Sequence, residues 1–300
     1  MSQNESQNGV NAPKYRTGLV MEGGAMRGMF TCGVIDVLLE NGIEFDCAVG
    51  VSAGATFGLN FASKQHGRAL RYNKKYCKDK RYASIRSLVT TGDLYNAKFC
   101  YETLPFELDK WDADTFYDNP MDFYCVATDV KAGKPVYHKC RNRDTTPEGQ
   151  DIRWIRASAS MPLVSRPVKI NGGLYLDGGM TDSIPLRFME KKGCSRILVI
   201  ETRPADYVKE PTEHQRLINL MYRRYPNMAR ALAKRHIMYN KQKKYVAEKE
   251  NAGDVFVIRP AAPLNIGATE KDPAELQRVY DLGRAAALEK LPALKEYLKK

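Results

Sequence analysis

Short apolar runs alternate along this chain with stretches in which apolar residues recur every three or four positions. Gly18 to Met21 (GLVM) reads as a first strand and Phe45 to Val51 (FDCAVGV) as a second. Further strands are expected at Phe123 to Thr128, Gly173 to Leu176, Arg196 to Ile200 and Val255 to Ile258. A helix from about Gly28 to Asn41 places Val34, Ile35, Leu38 and Leu39 on one face, the spacing needed to pack on a sheet. Another helix follows Gly54. Helices around 214–222 and 228–249 stand between the last two strands. The final helix has clear starting signals: Asp272 as cap, Pro273 at the first helical position and Glu275 to answer the cap. This order predicts a three-layer α/β/α sandwich with a mostly parallel central sheet.

The chain has 300 residues, 43% hydrophobic and 27% charged, enough apolar material for a sizeable core. We expect a single α/β domain over 16–300, with a basic helical insertion at about 205–250. Met1 to Lys14 is polar, lacks the pattern of a signal peptide, and reads as a disordered tail covering about 1–15. No run approaches the roughly 20 apolar residues that cross a bilayer. A cytoplasmic protein, peripheral to the membrane at most, is therefore expected. The seven cysteines are scattered and form no CxxC pair, so neither a zinc site nor a disulfide framework is indicated.

Net charge is +12, unevenly spread. From Lys64 to Arg86 nine basic residues face one acid; from Pro211 to Glu250 ten face three. Those segments carry +8 and +7, leaving −3 for the rest of the chain. Apolar residues are interleaved: Leu70, Tyr72 and Tyr76 in the first, Leu217, Leu220, Met221, Leu232, Ile237, Met238 and Tyr239 in the second. Such surfaces suit an anionic membrane interface, although two solvated helical faces would have the same composition. No nucleic-acid module is present, and none is expected as a partner.

Three elements carry chemistry. Gly50-Val51-Ser52-Ala53-Gly54 is a G-x-S-x-G between an apolar strand and a helical run. A serine on a sharp strand-to-helix turn projects its hydroxyl outward, and Gly50 and Gly54 remove Cβ atoms that would collide there. The Ala53 amide, at a helix start, can stabilise a developing oxyanion. Glu22-Gly23-Gly24-Ala25-Met26-Arg27-Gly28 follows the first strand. Its spacing fits neither a dinucleotide fingerprint nor a P-loop, but the amides of Gly23 and Gly24 could cradle an oxyanion. Asp177, at the end of Leu174-Tyr175-Leu176 and before Gly178-Gly179, stands where active-site residues gather on α/β sheets, although Asp-Gly also starts ordinary turns. Asp182 is read as a turn residue.

Together these elements resemble the patatin-like phospholipase family, whose D-G-G-G-x-R/K-G loop, G-x-S-x-G elbow and D-G-G/A aspartate occur in this order. A fourth block, an alanine- and serine-rich helix start ending in proline, matches Ile155-Arg156-Ala157-Ser158-Ala159-Ser160-Met161-Pro162. The resemblance covers about residues 17 to 202. It implies a patatin-like fold and a lipid or acyl-ester hydrolase with Ser52 as nucleophile and Asp177 as base. It implies an oxyanion hole of Gly23, Gly24 and Ala53, and no metal or other cofactor. Arg27 is a candidate for ordering the loop or neutralising a lipid phosphate, against a plain solvated helix start. Ala25 departs from the family by replacing the third glycine of the loop. Alanine resists positive φ, so a loop requiring that conformation at 25 would be altered.

The resemblance assigns no histidine to catalysis. His66, His138, His214 and His236 read as surface residues; a Ser-Asp-His order would nominate His214 or His236. Two other functions compete with hydrolysis: acyl transfer on a related fold, and a catalytically weak module that binds a membrane or partner.

Overall fold

A computed structural model of the chain describes residues 15–143 and 149–299; the expected tail at 1–15 falls, but for Tyr15, outside the described residues. The strands are β1 (Arg16–Met21), β2 (Cys47–Val51), β3 (Asp122–Asp129), β4 (Lys134–Lys139), β5 (Val168–Ile170), β6 (Gly173–Asp177), β7 (Cys194–Ile200) and β8 (Val255–Ile258). The helices are α1 (Gly28–Glu40), α2 (Ala53–Ala62), α3 (Arg68–Tyr76), α4 (Ile85–Thr91), α5 (Ala113–Asp118), α6 (Gln150–Ser158), α7 (Leu186–Lys191), α8 (Gln215–Met221), α9 (Pro226–Ala233), α10 (Arg235–Asn251) and α11 (Pro273–Lys299). A wide π-type segment, Phe99–Leu108, lies between α4 and α5.

The expected strands are all present, and two more, β4 and β5, complete one eight-stranded sheet. β4 reads KPVYHK and is only half-buried, so it lacks the continuous apolar run that marks its neighbours. β5 is three residues long. β1 pairs in parallel with β2 and β7, β2 with β3, and β7 with β8; the pairings of β3 with β4 and β6, and of β5 with β6, are antiparallel. The central strands are buried on both faces, as parallel strands covered by helices must be. Leu19, Met21, Ala48, Leu198 and Ile200 point into one core beneath α1, α2 and α11, while Val20, Val49, Val51, Ile197 and Val199 point into the other beneath α7 and α10.

Helix α1 is almost wholly buried because α11 closes over it. The two cross where Gly33 meets Gly283: a Cβ on Gly33 would fall 2.1 Å from the Tyr280 carbonyl oxygen, and one on Gly283 2.0 Å from that of Phe30. The segment expected as one helix over 228–249 breaks at Lys234 into α9 and α10, which places Arg235 at a helix start where its Nε donates to the Gly179 carbonyl.

The register of β3 positions the site. Residues 122–126 of β3 pair with β2 and residues 127–129 with β6, while 124–129 also pair with β4. A strand has two edges, so β2 and β6 share one edge of β3 and meet end to end. Val51 lies opposite Val126 and Asp177 opposite Ala127. Ser52 and Asp177, 125 positions apart in the chain, are thereby brought to one point.

Candidate active site

The elbow is as sharp as its sequence predicts. Ser52 adopts φ 55° and ψ −121°, a conformation costly for any residue with a side chain. The turn is held closed by contacts that exclude a Cβ at its glycines. On Gly50 a Cβ would lie 2.4 Å from the Gly54 carbonyl oxygen, and on Gly54 2.3 Å from that of Met21. The Ser52 amide donates to Ser158 Oγ at 3.0 Å, and the Asp177 amide donates to the Ser160 carbonyl at 2.8 Å. The alanine- and serine-rich block at the end of α6 therefore holds both residues.

Ser52 and the Asp177 carboxylate stand side by side in the wall of one cavity. Asp177 is buried, and its Oδ1 accepts the Gly179 amide at 2.7 Å. Burial pushes its carboxyl above the ordinary value; the neighbouring Ser52 hydroxyl, the charge of Arg235 and the Gly179 amide oppose that shift. A carboxylate raised by burial and facing a serine hydroxyl is suited to accept a proton.

The glycine-rich loop packs directly on the elbow. A Cβ on Gly23 would fall 2.7 Å from the Val51 carbonyl oxygen and 2.8 Å from Ser52 Cβ. The amides of Gly23 and Gly24 have no acceptor among the described residues. The Ala53 amide, at the first position of α2, has no intrahelical acceptor either. Ala25 adopts φ 48°, so the loop does require the left-handed conformation where the family has glycine. That conformation costs an alanine roughly 1–2 kcal/mol.

Glu22 is anchored by groups that sequence reasoning missed. Its carboxylate accepts the Tyr239 hydroxyl at 2.7 Å and the Thr202 amide at 2.6 Å. It is fully buried, and burial, reinforced by the charge of Glu201, raises its pKa. Asp182 is buried as well and accepts Tyr137 Oη and Gln242 Nε2, both at 2.5 Å, so it is a packed structural carboxyl rather than an exposed turn residue. Gln242 also accepts the amides of Ser183 and Ile184. Helix α10, expected as a basic insertion, thus braces both the glycine loop and the segment after Asp177. The signal was hidden because Tyr239 and Gln242 look ordinary in a basic helix.

Two cavities meet at Ser52. One, of about 110 Å³, is lined mainly by apolar and aromatic side chains, among them Phe57, Leu59, Tyr101, Leu104, Trp111 and Ile152. The other, of about 450 Å³, contains Glu22, Gly23, Gly24, Arg27, Asp177, Arg203, Lys209 and Arg235. Ala25, Ser52 and Met161 line both.

Two histidines depart from the surface reading. His236 is half-buried and lines the larger cavity. His138 stacks on Trp154 at 4.8 Å and hydrogen-bonds Asp151 at 2.6 Å. His66 pairs with Glu40, and His214 is exposed ahead of α8. His138, Cys140 and Asp151 bring ligand-type atoms within 4.8 Å of one another, but the carboxylate of Asp151 already serves His138, Tyr117 and the Asn142 amide.

A family model for patatin-like phospholipases matches residues 19–189, more than half of the chain. The chain belongs to the patatin-like phospholipase family. A second model, a domain of unknown function (DUF6363), matches residues 225–299, the stretch from α9 to α11. An uncharacterized Escherichia coli protein, YjjU, is 28% identical over 282 residues, covering 90% of this chain and 75% of YjjU. The lysophospholipase NTE1 of Saccharomyces cerevisiae is 28% identical over 283 residues, covering 89% of this chain but only 16% of NTE1. Among solved structures, VipD from Legionella pneumophila aligns over 93% of this chain and 67% of its own, with 12% identity and a TM-score of 0.42. Family membership and the lysophospholipase relatives support lipid hydrolysis.

Proposed function

We propose that this protein is a serine lipid acyl hydrolase working through a Ser52–Asp177 dyad. The juxtaposition of Ser52, on its sharp elbow, with the buried Asp177 carboxylate carries this reading. Asp177 accepts the proton of Ser52 as Oγ attacks the ester carbonyl. The amides of Gly23, Gly24 and Ala53 hold the oxyanion of the tetrahedral intermediate. The intermediate collapses with the proton passing from Asp177 to the departing alcohol, leaving an acyl-serine. Water then gives a proton to Asp177 as it attacks the acyl carbon; the acid leaves and the proton returns to Ser52.

The apolar cavity, walled by Phe57, Tyr101, Leu104 and Trp111, is suited to the acyl chain. Substrate delivery at an anionic membrane surface fits the outer surface. Ile85 and Val89 on α4, and Leu217, Leu220 and Met221 on α8, are exposed apolar side chains accompanied in sequence by Arg86, Arg223 and Arg224.

The test is covalent labelling with a fluorophosphonate, read by intact mass. One adduct is expected on wild type and none on Ser52→Ala. An unlabelled, folded wild type would overturn the reading and leave the protein a binding module; an adduct that survives in Ser52→Ala would overturn it by placing the reactive nucleophile elsewhere.

A further inference from the structure

The cations of the larger cavity are half-buried, whereas the cations of the first basic segment are either paired or, like Lys75, Lys78, Lys80 and Arg86, exposed. In the first basic segment Lys64, Arg68, Arg71 and Arg81 are paired with Glu44, Asp109, Asp109 and Asp79. The four cations of the cavity, Arg27, Arg203, Lys209 and Arg235, form no ion pair among the described residues. Arg27 folds back against Gly24, with one terminal nitrogen 3.1 Å from where a Cβ on Gly24 would lie; its buried Nε has no partner. Arg203 stacks over the Tyr207 ring at 4.2 Å. Lys209 Nζ stands 5.6 Å from the centre of the Tyr239 ring. Arg235 uses its Nε on the Gly179 carbonyl, and a terminal nitrogen lies 3.5 Å from where a Cβ on Gly179 would be.

These cations are close enough to disturb one another. Lys209 is pushed down to about 8 by burial and by the charges of Arg235, Arg27 and Arg203, and Arg27 is lowered by burial and by Arg203. The acids facing them are Glu22 and Asp177, both buried and both raised by burial, and the exposed Glu210. Half-buried cations that repel one another and lack partners are stabilised only when a polyanion enters.

We propose that this cavity is a phosphate site that takes a phosphomonoester dianion beside Ser52. This rests on the hydrolase reading only in assigning the phosphate to the head group of the scissile lipid. Arg27 and Arg235 flank the reacting pair from its two glycine loops, and Arg203 and Lys209 close the outer wall. A monoester brings two charges to this surface. A phosphocholine brings one, together with a quaternary ammonium that the same wall repels. The site is assembled from the loop after β1, the segment after β7 and the start of α10, so no one motif encodes it.

The test measures binding apart from turnover. Titration calorimetry on Ser52→Ala compares glycerol 3-phosphate, inorganic phosphate and glycerophosphocholine. Either phosphate is expected to bind at least about tenfold more tightly than glycerophosphocholine, and Arg203→Gln with Lys209→Gln, added to Ser52→Ala, to weaken it by about tenfold or more. Equal affinity for all three probes, or affinity unmoved by the paired substitution in protein with an unchanged circular dichroism spectrum, would overturn the site. Wild-type turnover then distinguishes the sources. A kcat/KM at least about tenfold higher for a 1-acylglycerol 3-phosphate than for the matching phosphocholine assigns the phosphate to the lipid; a ratio near one with phosphate still bound overturns that assignment and leaves a site for the free anion. Phosphate binding without any wild-type turnover would remove the hydrolase reading and leave the site standing.

Discussion

The two cavities that meet at Ser52 differ in everything except the residues they share. The smaller is mainly apolar and built between Ala25 and Met161, chiefly from α2, α3, the π-type segment and α6. The larger is polar and gathers residues from the glycine loop, the Asp177 loop, the segment after β7 and α10. Asp177 and the two loop glycines lie on the polar side alone. In the proposed reaction the base and the two loop amides therefore lie where charge is tolerated, and the apolar side, which holds Ala53, is left to the acyl chain. The difference shows how one nucleophile can serve an amphiphile: each half of the substrate meets a wall of its own polarity, and the ester lies where the walls join.

The sharpest way to break the comparison is to disable the polar side alone. Asp177→Asn should lower kcat by about 10³–10⁴-fold on any ester, since the base is lost while the apolar cavity is untouched. In wild type, Asp177 must be ionised to act. Because burial raises its pKa, the acid limb of the kcat/KM profile should lie above the usual carboxylate range. Arg235 holds that pKa down, so Arg235→Gln should move the limb to higher pH; a limb unmoved by this change would separate Arg235 from the base. The next effect, on the apolar side, is smaller. Ile152→Phe narrows that cavity and should cut the ratio of kcat/KM for a long-chain over a short-chain ester by about tenfold. An unchanged ratio in a variant that melts normally would mean that the chain lies elsewhere.

The smallest effect concerns the boundary between the two. Ala25 lines both cavities in a left-handed conformation. Ala25→Gly removes a strain of roughly 1–2 kcal/mol but frees the unfolded chain by about 0.4–1 kcal/mol, so a net stabilisation between about zero and about 1.6 kcal/mol is expected in urea unfolding. A destabilised glycine variant would show that the methyl group's packing against both cavities outweighs the backbone strain.

The two sides also differed in legibility. The elbow, the glycine loop and Asp177 could be placed from sequence because each is a local backbone device: a strand end, a glycine spacing and a tight turn. Ser158 and Ser160 were visible as a block, but their task, fixing the amide of Ser52 and accepting that of Asp177, was not. Tyr239, Gln242, Arg203, Lys209 and Arg235 carried no signal at all. Tyr239, Gln242 and Arg235 act through contacts with residues 56 to 217 positions away, Arg203 and Lys209 through the cavity they line, and such pairings leave no periodicity to read. His236 was misplaced for the same reason: its helix is basic and looks solvated until the larger cavity is seen beneath it.

By itself the sequence determined the layered architecture, the central strands and the three local turns that present Ser52, Asp177 and the loop amides. Each of these follows from short-range rules of burial periodicity and backbone sterics. Only the tertiary structure decided that β2 and β6 share one edge of β3, which joins Ser52 to Asp177, and that the segment after β7 and α10 turn unpaired cations toward the same serine. Strand register and the convergence of like charges are settled by the burial of the whole sheet and its helices, a balance that no local stretch of residues contains.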